Sequence, residues 1–113
     1  MTRTNVLIVG GGPAGAACAW RLREKGEDCL ILDRHSFPRL KACAGWITPQ
    51  VLKDLDLDIA AYPYGLTRFK SFLISVRGIG FRLPTRQYAI RRIEFDDWLL
   101  KRSGVNTHVH KVQ

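Results

Sequence analysis

The chain has 113 residues, enough for one small domain. Its content of 46% hydrophobic and 25% charged residues excludes a disordered, collagen-like or disulfide-stapled protein. The net charge of +8 is spread through mixed stretches, Arg21 to Glu27 and Arg91 to Asp97 among them, so solvated faces are expected rather than a nucleic-acid patch.

Asn5 to Val9 is a continuous apolar run ending in glycine, the pattern of a strand buried on both faces of a parallel sheet. Gly10-Gly11-Gly12-Pro13 is a turn. Ala14 to Lys25 reads as a helix rich in small residues at its start, with Gly26 placed to end it in the left-handed conformation. Cys29 to Asp33 reads as a second buried strand, which with the first makes a right-handed strand–helix–strand crossover over residues 5–33. Arg34 to Gly45 is a loop. Thr48 to Leu57 is a short helix with Thr48 as N-cap and Pro49 at its first position. Strands are expected over Leu66 to Ser75, Ile79 to Leu83 and Tyr88 to Arg92, the last two separated by a Pro84-Thr85-Arg86 turn. Glu94 to Arg102 has helical spacing, with Phe95 and Trp98 facing the core. Val105 to Val112 is expected as a third parallel strand. The expected class is α/β: a Rossmann-like, three-layer domain with a parallel central sheet, interrupted over residues 34–92 by an inserted loop, helix and strands. Residues 93–113 return to the sheet. Such sheets have five or six strands, so three predict the N-terminal part of a longer protein.

Cys18, Cys29 and Cys43 lack metal-ligand spacing, and no metal site is expected. Cys18 and Cys29 read as packed structural residues. No run approaches the length of a signal core or a membrane span. A reducing, cytoplasmic setting is therefore expected, with peripheral membrane contact compatible with the charge. His35, His108 and His110 show no partner pattern and read as surface residues.

The chemistry concentrates in Gly10-x-Gly12-x-x-Gly15. Gly10 permits a tight turn off the strand. Gly12 allows close approach of a pyrophosphate, and Gly15 lets the helix pack on the sheet. Pro13 and Ala14 open a helix whose N-terminus offers unpaired N–H groups and partial positive charge to a diphosphate. Asp33, ending the second strand, is placed to accept hydrogen bonds from ribose hydroxyls. Its charge disfavours NADP. Arg34 is a candidate to stack on adenine. Arg39 and Lys41 follow that strand and are candidate diphosphate donors, with plain surface charge the alternative for all three. Arg92, at a strand-to-helix junction, either points back at the cofactor or pairs with Asp96.

The extended pattern Gly10-x-Gly12-x-x-Gly15-x-x-x-Ala19-x-x-Leu22-x-x-x-Gly26-x-x-Cys29-x-x-x-Asp33 resembles the N-terminal fingerprint of glutathione-reductase-like FAD proteins, although those usually carry Val and Glu at positions 29 and 33. FAD rather than NAD is the implied cofactor. Phe37 to Gly45 resembles a loop of the geranylgeranyl reductase family, through Lys41, Cys43 and Gly45, with Ala42 and Ala44 departing from its pattern. Tyr88 to Leu99 resembles a later segment of that family and of the related aromatic hydroxylases and flavin halogenases, with Arg92 as the matching arginine. The resemblance implies an FAD-dependent oxidoreductase that reduces carbon–carbon double bonds of an isoprenoid chain, with a lipid-like substrate and NAD(P)H or a ferredoxin-type protein as electron donor. It places Cys43, Gly45 and Trp46 near the substrate cavity; the alternatives are a buried cysteine and a packing tryptophan. No residue stands out as a general acid or base, so catalytic residues are left unassigned.

Two rivals stand beside this reading. One is an aromatic-ring monooxygenase or flavin halogenase built on the same domain. The other is a fragment without catalysis that binds only the ADP half, since a later Gly-Asp segment of these families is not in the chain. No nucleic-acid partner is expected, and the exposed edge of the third strand offers a route to self-association.

Overall fold

The computed structural model describes residues 1–113. The chain forms two compact units: residues 1–41 with 93–113, and the inserted residues 42–92.

The first unit begins with β1 (Val6–Val9), α1 (Pro13–Glu24) and β2 (Cys29–Asp33). β1 and β2 pair in parallel from Val6 opposite Cys29 to Val9 opposite Leu32. The expected helix terminator is in place, since Gly26 has φ 76°. The unit closes with α3, whose residues run Arg92–Ser103, and β6 (Thr107–Val109). β6 is the third parallel strand and lies beside β2, giving the order β1-β2-β6. It is shorter than the Val105 to Val112 run suggested.

One face of this sheet is covered and the other is not. Ile8 and Ile31 lie on the covered face beneath α1; Ile31 is fully buried, and Ala16 and Ala19 bury the facing side of the helix. The small residues let α1 approach closely: a Cβ on Gly15 would collide with the carbonyl oxygen of Gly10. α3 adds Phe95 and Leu99 to this core, while Trp98 is half-buried. A cation–aromatic clamp ties the helices together, with the Arg102 guanidinium 3.8 Å from the Trp20 ring and the Arg23 side chain donating to the Ser103 carbonyl. On the opposite face Leu7 and Val9 are 52% and 64% exposed. Within these 113 residues the first strand is therefore covered on one side and not, as expected, on both, because no helix here lies over the second face. Cys18 is exposed rather than packed, pointing away from the sheet that Ala16 and Ala19 face. Cys29 is half-buried, and burial is the main cause that pushes its thiol pKa up.

The inserted unit holds β3 (Trp46–Ile47), α2 (Pro49–Asp54), a single 3-10 turn (Ile59–Ala61), β4 (Leu66–Val76) and β5 (Ile79–Ile90). The Thr48 hydroxyl caps α2 by accepting the Val51 N–H, as its position before Pro49 suggested. The sheet is antiparallel in the order β3-β5-β4. β3 is a strand that the loop-like residues before Thr48 did not announce. The expected Pro84-Thr85-Arg86 turn is absent. β5 continues through it, and the disturbance is absorbed by a bulge between Phe69 and Ser71, where Ser71 faces Pro84. Proline lacks the N–H that a ladder needs, so a bulge is where a strand can hold it.

Candidate dinucleotide site

Gly10, with φ 103°, turns the chain off β1 while its N–H donates to the Leu32 carbonyl at 2.7 Å. Gly12 is the N-cap of α1 in ordinary extended conformation, and its carbonyl accepts the first helical bond, from Ala16. No side chain caps this end. The first N–H groups, from Ala14 onward, have no intrahelical acceptor and add partial positive charge at the turn.

Asp33 organises the turn. One carboxylate oxygen accepts the Gly11 N–H at 2.7 Å and the other the His35 N–H at 2.8 Å. Burial pushes its pKa up, but these two donors, with Arg39 and His35 nearby, outweigh it and hold the carboxyl below its ordinary value. Each oxygen keeps a further lone pair for a ribose hydroxyl.

Arg39 is the second organised group. Its side chain is only 15% exposed, stands over the Phe37 ring at 4.7 Å, and lies 3.5 Å from the fully buried Asp96 carboxylate. The other end of its guanidinium comes to 3.5 Å from where a Cβ on Gly12 would be. The cation is thus held beside the glycine turn from three sides. Asp96 pairs here with Arg39, a partnership that sequence spacing within α3 did not reveal.

A cavity of about 260 Å³ opens at the carboxyl ends of β1, β2 and β6. Gly10, Asp33, Arg34, Arg39 and Lys41 line it, so five of the expected residues converge. His110, exposed as expected, lines it too. Its N–H donates to the Asp33 carbonyl, which joins the residue after β6 to the end of β2. The signal was available: ligands of open parallel sheets bind beyond the carboxyl ends of the strands, and His110 follows the third one. Pro13 opens α1. Arg92 opens α3 and is half-buried. Cys43, Gly45 and Trp46 belong to the inserted unit. Cys43 is exposed, and its sulfur accepts the Gly45 N–H at 3.4 Å. Gly45 has φ 73°, and a Cβ there would strike the Ile90 carbonyl, which gives this glycine a packing role. Trp46 is 58% exposed, with its ring 5.0 Å from Phe72 and its Nε1 donating to Gln87. No group of side chains with the makings of a metal site is present.

A glycine turn between a parallel strand and a helix, an acid ending the next strand and cations around the cavity define a dinucleotide-binding unit. The chain belongs to the NAD(P)-binding Rossmann-like domain family, whose model matches residues 8–72. It is 37% identical over 106 residues to the menaquinone reductase of Mycolicibacterium smegmatis, covering 85% of this chain and 25% of that protein. With the geranylgeranyl diphosphate reductase of Rhodobacter capsulatus it shares 31% identity over 103 residues, covering 88% of this chain and 25% of the other. The structure of the flavin-dependent brominase Bmp2 superposes with a TM-score of 0.77 at 27% identity, over 96% of this chain and 29% of that one. The chain thus spans about a quarter of the length of its curated relatives.

Proposed function

We propose that this chain forms the ADP-binding portion of an FAD site, within an FAD-dependent oxidoreductase that reduces carbon–carbon double bonds of an isoprenoid chain. The observation that carries the first part is the convergence of Gly10, Asp33 and Arg39 on one cavity, with Gly12 beside the Arg39 guanidinium. Nothing in the chain's own packing demands glycine at position 12: its φ is −67°, and a methyl group there meets only the end of Arg39 at ordinary contact distance. The space beside it fits a diphosphate flanked by the Arg39 guanidinium and the α1 N-terminus. Asp33 would hold the ribose, and Arg34 and Lys41 would stand at the rim.

When bound, FAD supplies hydride transfer, and the protein contributes binding and orientation. Asp33 fixes the turn through Gly11, and the buried Asp96 keeps Arg39 facing the glycines. Arg92 is proposed to reach the cofactor from the start of α3, and Cys43, Gly45 and Trp46 to line the substrate side. A lipid-like substrate and NAD(P)H or a ferredoxin-type donor complete this reading. It is supported by the likeness to a geranylgeranyl diphosphate reductase and by the Lys41-x-Cys43-x-Gly45 loop. The Bmp2 likeness favours a second reading, a flavin-dependent halogenase or monooxygenase on the same domain.

The test is the visible spectrum of the protein purified without added flavin, followed by titration with FAD and with ADP. Equal affinities for FAD and ADP, lost in Gly12→Ala, are expected if this chain holds the ADP half. Binding of neither would overturn the assignment. In the parent protein, oxidation of the flavin by a prenylated substrate without oxygen supports the reductase, and halide-dependent product formation with oxygen supports the rival.

A further inference from the structure

Residues 93–113 return to a unit whose other part is residues 1–41, and the ties between the two are of two kinds. At the end of α1 away from the glycine turn, Arg23 donates to the Ser103 carbonyl and the Arg102 guanidinium stands over the Trp20 ring. These ties use no group of the nucleotide cavity. The other two pass through it. Asp96 of α3 pairs with Arg39, and the His110 N–H, just past β6, donates to the Asp33 carbonyl at 2.7 Å. His110, Lys111 and Val112 then share the lining of the cavity with Gly10, Asp33 and Arg39.

The cavity is therefore built from both parts of the unit. Lifting residues 93–113 from the sheet takes away three lining residues, a cation among them, and removes the anchor of Arg39. The opened form must bind nucleotide less tightly than the closed one. A ligand shifts an equilibrium by its differential affinity for the two states, so filling the cavity favours closure.

Arg39 is where the coupling is concentrated. Its distance of 3.5 Å from Asp96 exceeds the roughly 2.7–2.9 Å of a charge-assisted hydrogen bond, and its buried Nη1 makes no hydrogen bond. The pair thus has room to tighten. A phosphate on the Gly12 side would fix the guanidinium from one direction while Asp96 fixes it from the other. Ordering of this long side chain is then paid once for two partners, which makes their binding cooperative.

We propose that the nucleotide acts as a latch on residues 93–113: with the cavity filled, α3 and β6 are held on the β1-α1-β2 layer, and without nucleotide they open while that layer stays paired. This rests on the nucleotide reading of the cavity. By reciprocity, whatever holds residues 93–113 in place raises nucleotide affinity by the same factor.

The experiment is native-state hydrogen exchange of the full chain, without ADP and with ADP about a hundredfold above its Kd. Amides of α3 and the His110 amide are expected to exchange up to about a hundredfold more slowly with ADP. Those of the ribbon between Ser71 and Pro84, outside the latch, are expected to keep their rates. In Asp96→Asn, with ADP again about a hundredfold above that variant's own Kd, the slowing of α3 is expected to shrink at least about fivefold. The wild-type comparison decides whether the latch exists even if Asp96→Asn does not fold. ADP that binds and leaves α3 and His110 exchange unchanged would overturn the latch alone, and so would undiminished slowing of α3 in Asp96→Asn. No binding of ADP would overturn the nucleotide reading and the latch with it.

Discussion

Two glycines of the turn, three residues apart, are glycine for different reasons, and this separates folding from binding. At Gly15 a Cβ would run into the Gly10 carbonyl. Gly15→Ala must push α1 off the sheet, and a loss of about 1–3 kcal/mol is expected from urea unfolding. At Gly12 the backbone is ordinary, and a Cβ would meet only the end of Arg39 at ordinary contact distance. Gly12→Ala is expected to leave the urea midpoint within about 0.5 kcal/mol of wild type while nucleotide titration shows the affinity gone. Equal binding by Gly12→Ala would remove the argument for a diphosphate at this turn. Asp33 supplies a pH dependence. Its folded pKa is lowered, so it stabilises the fold above the ordinary carboxylate pKa of about 3.9. That contribution is lost as pH falls through the folded value. Urea midpoints at pH 7 and below pH 4 would show the fall, and Asp33→Asn is expected to make it shallower.

At the scale of elements, α3 is more than a cover for the sheet. Asp96, in its second turn, is fully buried and holds Arg39 from the far end of the sequence. Removing one partner of a buried ion pair strands the other, so Asp96→Ala is expected to cost about 3 kcal/mol or more by denaturant unfolding. If nucleotide affinity falls in Asp96→Asn beyond what lost stability explains, the pair positions Arg39 as well. The first strand, α1, β2 and the α2 cap were legible because each is local: an apolar run, glycine punctuation, a threonine before a proline. The glycine turn and Asp33 were legible because the chemistry requires those residues at that spacing. The Arg39–Asp96 pair and the part played by His110 were not, because tertiary packing creates them. The continuous β5 was misread because Pro84 is a turn signal locally, and only pairing with β4 shows that a bulge accommodates it. The exposure of Leu7 and Val9 was missed because an apolar run shows what could be buried, not what covers it.

At the scale of the molecule, protection should follow the two-unit layout. Ile31 is fully buried on the central strand, flanked by β1 and β6. The distal ribbon between Ser71 and Pro84 has only its own two strands. Native-state hydrogen exchange is expected to be slowest at β2 and fastest near the Arg77-Gly78 tip. Fast exchange throughout β2 would mean that the parallel sheet is not the stable centre of this chain.

The insertion also sets an order of events during synthesis. β1, α1 and β2 are neighbours in sequence and can associate as soon as they leave the ribosome. Ile31 must wait for Thr107, and the whole inserted unit emerges between them. Closing so long a loop costs entropy before its contacts return anything, so β6 is placed to join last. Until it does, the hydrogen-bonding edge of β2 stays open to another nascent chain. The cavity built around Asp33 and His110 can form only once that edge is sealed.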